Sequence, residues 1–312
     1  MNEDVPGRKA AAGNSPGAQA WARFRANRVA VLSAGVLLAV IGLALVWPAV
    51  SPHPPNAITD TQFAPPGGGH WFGTDVHGRD LFTRVFAGAR ISLLVGLVGA
   101  GVSLAIGVVW GAVAGYLGGR WDSWLMRMVD VLYALPTIVF VIVLITALNG
   151  LLEHWEAQGL PAGTARLARL AGLFAGLGAV SWLTMARIVR GQVLSLRRRP
   201  FVEASLVLGA SHTRILARHI LPNIAGIVIV YLALTVPSVV LYESFLSYLG
   251  LGIQPPAASL GSLIAEGANQ INPLRIYWWL ILFPAGTLAV TLLALNFLAD
   301  GLRDAFDPRT PQ

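Results

Sequence analysis

The sequence predicts an all-α polytopic membrane protein with six transmembrane helices and both termini on the cytoplasmic side. Of 312 residues, 55% are hydrophobic and only 12% charged, against about 25% charged in soluble domains, and the mean hydropathy is +0.65. Polar segments divide the chain into six apolar runs, most of them long enough for the roughly 20 helical residues that a ~30 Å hydrocarbon layer requires. With the N-terminus inside, 16 of the 22 Lys and Arg residues fall on inner segments and 6 on outer ones, the bias that sets topology in membrane proteins.

Residues 1–28, rich in Ala, Gly, Pro and Arg and without apolar periodicity, read as a mobile cytoplasmic tail ending in Arg23, Arg25 and Arg28. Residues 29–50 form the first span, longer than the roughly 7–15 residues of a signal-peptide core. The external loop 51–90 is broken by Pro52, Pro54, Pro55, Pro65, Pro66 and Gly67 to Gly69. A five-helix core is expected over 91–300. Its first helix, from Ile91 to Gly119, carries small residues at every fourth position: Gly99, Ser103, Gly107, Gly111, Gly115 and Gly119. They share one helical face, where the absence of bulky side chains lets another helix approach closely, so this helix is read as interior.

A turn at Arg120, Asp122 and Arg127 precedes a third span ending near Leu148, with Asp130 in its first turns and Pro136 as a kink. A polar loop spans Asn149 to Arg169, and a short fourth span runs from Leu170 to Ala186. The fifth span, Ile224 to Gly252, contains Pro237 and Glu243. A polar connection over 253–275 leads to the sixth, Ile276 to Ala299, which opens with the interfacial aromatics Tyr277, Trp278 and Trp279. Residues 301–312 are read as a cytoplasmic tail.

Absences narrow the chemistry. There is no cysteine, so disulfides, thiolate metal sites and Cys nucleophiles are excluded. The only lysine is Lys9, so no G-x-x-x-x-G-K-[ST] phosphate loop exists. H-E-x-x-H does not occur, and the six histidines lack ligand spacing. The chain is therefore expected to be no enzyme, to hold no metal and to bind no cofactor itself. Its basic residues lie scattered in short loops, which argues against nucleic acid as a partner.

The largest inner surface is the loop at 197–223. A solvated connector made basic by topology is the plain reading. Yet Glu203, Ala204 and Ser205 can open a short helix with a small face, Gly209 can supply the positive φ that ends it, and Leu221-Pro222 suits the first turn of the next helix. This combination fits a docking element for a partner better than a connector.

The order Glu203, Ala204, Gly209, Ile220, Leu221, Pro222 resembles the EAA loop of ABC importer permeases, with Ser205 where the family favours a second Ala. Further stretches are similar to the C-type subunit of oligopeptide and dipeptide importers: HWFGTDVHGRDLFTRVFAGARISLLVG, GYLGGRWDSWLMRMVD, SWLTMARIVRGQVLSL, ESFLSYLGLGIQPP and NFLADGLRDAFDP. The first 28 residues and the 149–169 loop depart from the family. The resemblance implies a type I ABC importer permease fold in a bacterial cytoplasmic (inner) membrane. It implies that Glu203, Ala204, Ser205, Gly209, Ala210, Ile220, Leu221 and Pro222 couple the chain to two cytoplasmic ATPase subunits, which would hold the ATP and Mg. Its other implied partners are a second related permease subunit, an extracytoplasmic peptide-binding protein, the lipid bilayer and a peptide substrate. The small-residue face, with Gly107, Gly111 and Gly115, is taken as a reason for pairing with that second subunit. A stand-alone carrier driven by an ion gradient is the alternative. It predicts inverted repeats, and none is visible between the first and last three spans. A scaffold without transport leaves the loop unexplained.

Two further groups keep two readings each. Asp75, Arg79 and Asp80 either form an interface turn in which Asp80 caps a helix and Arg79 reaches the headgroups, or they contact the binding protein or the mouth of the pathway. Glu243, at membrane depth, either lines the pathway or is paired structurally with a neighbouring helix.

Overall fold

The computed structural model describes residues 16–159 and 161–306. Among these it holds eleven α-helices and no strand, and six helical stretches are long and apolar enough to cross a membrane. The predicted tail segments 1–15 and 307–312 lie outside the described residues.

The first departure from expectation is at the N-terminus. Pro16–Ala26 form a helix, α1, in place of mobile tail, because Ala20 and Phe24, one turn apart, bury against Ala30 and Ala305. Asn27 breaks the chain and caps α2 (Arg28–Val50), its side-chain oxygen accepting from the N–H groups of Val29 and Ala30 at 3.1 Å. Helix α3 (Leu81–Leu117) starts ten residues before the charge-free run at Ile91, so Arg84 and Arg90 are helical and the predicted 51–90 loop is shorter. Asp80 caps α3, accepting from the Thr83 N–H at 2.8 Å and from its hydroxyl at 2.7 Å.

At the far end of α3, Gly118 (φ 68°) and Gly119 (φ 56°) reverse the chain into α4 (Gly119–Tyr133), an amphipathic helix absent from the sequence reading. Pro136 therefore separates α4 from α5 (Thr137–Ala157) and does not kink a single span. The expected 149–169 loop is mostly helical as well: α5 continues to Ala157, α6 (Ala162–Arg197) begins five residues later, and an Arg169–Glu156 ion pair of 2.5 Å bridges them. Beyond α6 come α7 (Pro200–Val207), α8 (His212–Ile215), a π-helical turn at Leu216–Ile220 and α9 (Leu221–Tyr248). The predicted polar connection contains α10 (Leu260–Ala268), entered through a capping box in which Ser259 and Ser262 satisfy each other's backbone N–H. Helix α11 (Trp279–Phe306) closes the bundle.

Helix α3 is the central post, with α6 on its small-residue face. A Cβ at Gly107 would come within 2.6 Å of the Met185 Cβ, one at Gly111 would meet the Ala186 carbonyl, and one at Gly115 would lie 2.8 Å from the Arg190 carbonyl. The face read as a seat for a second subunit is thus filled by α6 of the same chain. Higher on α3, Gly96 and Gly99 admit Val240 and Val239 of α9. At the end holding the 51–80 segment, rings of Trp47, Trp71, Phe72 and Phe82 pack together, and Phe72 stacks on Phe283 with centroids 3.8 Å apart.

Candidate functional site

The 197–223 loop forms a two-faced unit at one end of the bundle. Pro200 sits in the first turn of α7, where its missing N–H has no cost, and Glu203 in that turn favours the positive end of the helix dipole. The helix ends in a Schellman motif: the Ala210 N–H donates to the Ser205 carbonyl and that of Gly209 to the Leu206 carbonyl, both at 3.0 Å. Gly209 has φ 80° and open space where a Cβ would stand, so conformation alone demands glycine there. The Ser205 hydroxyl turns back to the Phe201 carbonyl at 2.7 Å and leaves a small, slotted surface beside exposed Glu203 and Ala204.

One face of the unit is fixed to the membrane helices. Val202, Ile215 and Ile220 are fully buried in a cluster with Ala112 of α3, Met185, Val189 and Val193 of α6, and Ile224 of α9. The opposite end projects: Val207 is 88% and Leu208 86% exposed. Polar ties reinforce the fixed face. Tyr116 and His212 hydrogen-bond at 2.8 Å, and Arg197 donates to the Leu117 carbonyl at 3.1 Å. A cleft of about 930 Å³ opens between this corner and α7, with Arg197, Arg198, Asp122 and Glu203 on its walls.

Leu221-Pro222 opens α9 with the proline in its first turn, as expected, but no break precedes it. The helix is continuous from His212 to Tyr248, and the Leu221 N–H reaches back to the Leu216 carbonyl in a π-type bond. Pro222 has no N–H to donate, and its ring would crowd the carbonyl four residues earlier; the wider turn relieves that clash. Asn223 donates to the His219 carbonyl at 2.6 Å.

Helix α4 is clamped to α6 by two ion pairs that the sequence reading missed. Arg190 forks onto both Asp122 oxygens at 2.5 and 2.7 Å, and Arg187 reaches Asp130 at 2.7 Å while lying over the Tyr133 ring. Separations of 68 and 57 residues left no local signal of these pairs.

At the opposite end, the predicted contact residues turn inward. Asp75 accepts from the His77 N–H at 2.8 Å, the Arg79 N–H at 3.0 Å, Arg79 Nε at 2.7 Å and Arg84 Nη1 at 2.5 Å. Arg84, 3% exposed, also forks onto Glu266 of α10 at 2.6 and 3.0 Å. Burial pushes the Asp75 carboxyl upward, but the Arg84 charge, the Arg79 and His77 N–H groups and the Arg79 charge outweigh it and hold it below the ordinary carboxylate value. Arg79 points into this cluster and not toward headgroups, and Asp80 is occupied by Thr83 and by His70 at 2.9 Å. Asp75 and Asp80 are buried, so neither presents a surface to a partner or pathway.

Glu243 is fully buried. Ser92 of α3 donates to it at 2.9 Å, Ser247 at 2.6 Å and Ser244 at 3.4 Å. Ser92 and Ser247 in turn accept from the N–H groups of Leu260 and Ile253 at 3.2 Å, so the carboxyl ties α9, α3 and the start of α10 together. The pairing alternative holds, with hydroxyls in place of a cation.

Residues 107–312 match the family described as binding-protein-dependent transport system inner membrane component. Residues 15–66 match the N-terminal TM domain of oligopeptide transport permease C. The chain is 46% identical over 293 residues to the oligopeptide transport system permease protein OppC of Escherichia coli K12, covering 92% of this chain and 89% of the relative. It is 43% identical over 292 residues to the dipeptide transport system permease protein DppC of Bacillus subtilis, covering 93% and 85%, and 42% identical over 293 residues to OppC of Haemophilus influenzae, covering 92% and 86%.

Proposed function

The chain belongs to the family of binding-protein-dependent transport system inner-membrane components, as a multi-pass inner-membrane permease, and from that premise we propose that it forms half of the translocation pathway of an ATP-driven importer of oligopeptides or dipeptides. Both termini and the 197–223 loop face the cytoplasm in this reading. A related permease subunit completes the pathway, a peptide-binding protein delivers substrate from outside, and two ATPase subunits, carrying ATP and Mg, dock on α7.

The two-faced build of α7 carries the proposal. Val207, Leu208, Glu203 and the slot at Ala204 and Ser205 are free for a partner, while Val202 and Ile215 are buried among residues of α3 and α6. Each buried side chain is worth roughly 1.5–3 kcal/mol, so displacement of α7 by a closing ATPase moves the ends of α3, α6 and α9 with it. Such rigid transmission suits a bistable change between inward-facing and outward-facing cavities. Energy enters through the partner, in keeping with the absence of any phosphate loop here.

Peptide uptake by proteoliposomes containing the assembled complex and binding protein tests the reading. Uptake is expected to require ATP and to persist with a proton uncoupler. Uptake sustained by an ion gradient without ATP would overturn it in favour of the stand-alone carrier.

A further inference from the structure

A second polar feature lies within the membrane spans, away from the coupling loop. A groove of about 270 Å³ runs between α6 and α9 beside the α4–α5 junction, and its polar lining includes Ser181 and Thr184 of α6 and Tyr231, Thr235, Ser238 and Tyr242 of α9. The α9 residues are spaced by four, three and four, which places them on one helical face. The other side of α9 sends Val239 and Val240 into α3. Among the described residues no charged side chain lines the groove; the Arg187–Asp130 pair stands one turn beyond Thr184, with Tyr133 of the lining beneath Arg187.

Five of these hydroxyls divide into two kinds. Ser181, Thr235 and Ser238 donate their protons to the carbonyls of Leu177, Tyr231 and Leu234, so toward the groove they can only accept. The phenol groups of Tyr231 and Tyr242 make no hydrogen bond among the described residues and are available as donors. Unsatisfied phenols are costly against hydrocarbon. The lipid-like faces elsewhere in the bundle present Leu32, Leu38, Leu94, Leu97 and Val109, so this face is built for a polar occupant.

Resting on the importer reading above, we infer that this groove is a binding track for the main chain of a peptide in transit. Acceptors for peptide N–H groups and donors for peptide carbonyls stand along one face, and the lack of charge leaves it indifferent to acidic or basic side chains. Sequence-independent passage needs both properties.

The chain has no cysteine, so Ser238→Cys and Thr235→Cys each place a single thiol in the groove, and Leu97→Cys on α3 serves as the lipid-facing control. The probe is a membrane-impermeant methanethiosulfonate applied to the assembled complex. Ser238→Cys or Thr235→Cys is expected to react while Leu97→Cys does not, and transported peptide at ten times its Kd should slow that reaction about tenfold. No reaction at either position, or reaction that peptide does not slow, would overturn the inference, as would loss of the partner permease from both variants, which would make the groove a subunit interface. Wild-type complex without ATP-driven uptake would defeat the importer reading instead, so the two failures are distinguishable.

Discussion

Replacing Arg84 by Gln is the most exacting test of the ion cluster that fastens the 51–80 segment to α10. Arg84 is 3% exposed and lies 2.5 Å from Asp75 and 2.6 Å from Glu266. Its loss leaves Asp75, 5% exposed, with Arg79 and two backbone N–H groups, whereas Glu266, 38% exposed, can rehydrate. Breaking a buried pair costs about 3–5 kcal/mol; with Arg79 retained, the lower end is expected. Asp75→Asn in the Arg84→Gln background should cost less than alone, with a coupling in the upper part of the ~0.5–3 kcal/mol range seen for residues in contact. Amide hydrogen exchange over residues 59–80 and α10 reads the local loss directly. The pH dependence has a fixed sign. The folded pKa of Asp75 lies below its unfolded value of about 3.9, so its contribution is complete above that pH and is lost as pH falls through the lower folded value. Unchanged exchange in Arg84→Gln, or additive costs in the double variant, would refute the cluster as a fastening.

Three other outcomes follow from the packing. Gly111→Val should cost more than the ~1–3 kcal/mol usual for overpacking, because the new Cβ meets the Ala186 backbone carbonyl, whereas Gly101→Ala, with open space, should be neutral; folded yield in detergent measures both. Gly209→Ala should lose about 1–2 kcal/mol of local stability from its left-handed φ, and Gly209→Asn less, read by proteolysis or exchange at α7. Val207→Ser with Leu208→Ser should leave thermal stability within about 0.5 kcal/mol. Removing two side chains worth roughly 1.5–3 kcal/mol each on burial should weaken ATPase binding by about 10² to 10⁴-fold, measured by titration with the ATPase subunits.

The six spans were legible because hydropathy reports solvent, and solvent decides them. Gly209 and Asp80 were legible because left-handed φ and N-capping are local demands. What stayed hidden is non-local. Helix α4 carries Asp122 and Asp130, which read as polar punctuation until Arg190 and Arg187 arrive from α6 to neutralise them. Arg84 looked like loop because its partners come from either side of it, Asp75 before and Glu266 after 182 residues. The small-residue face was recognised but not its occupant, since periodicity says that a helix approaches and not which one. Pro222 marked the start of α9 by local rule, but not the π turn that joins α9 without a break to the helix before it.

Co-purification of the ATPase subunits with Glu203→Lys and Gly209→Asp variants bears most directly on α7 as the coupling element. Both positions are exposed, and the strain that Gly209→Asp adds at its left-handed φ is local to α7, so the variants should insert and pair with the second permease subunit as the wild type does. The ATPase is expected to be lost from both preparations, and ATP-driven peptide uptake to fall with it. Undiminished assembly and uptake in both variants would contradict it.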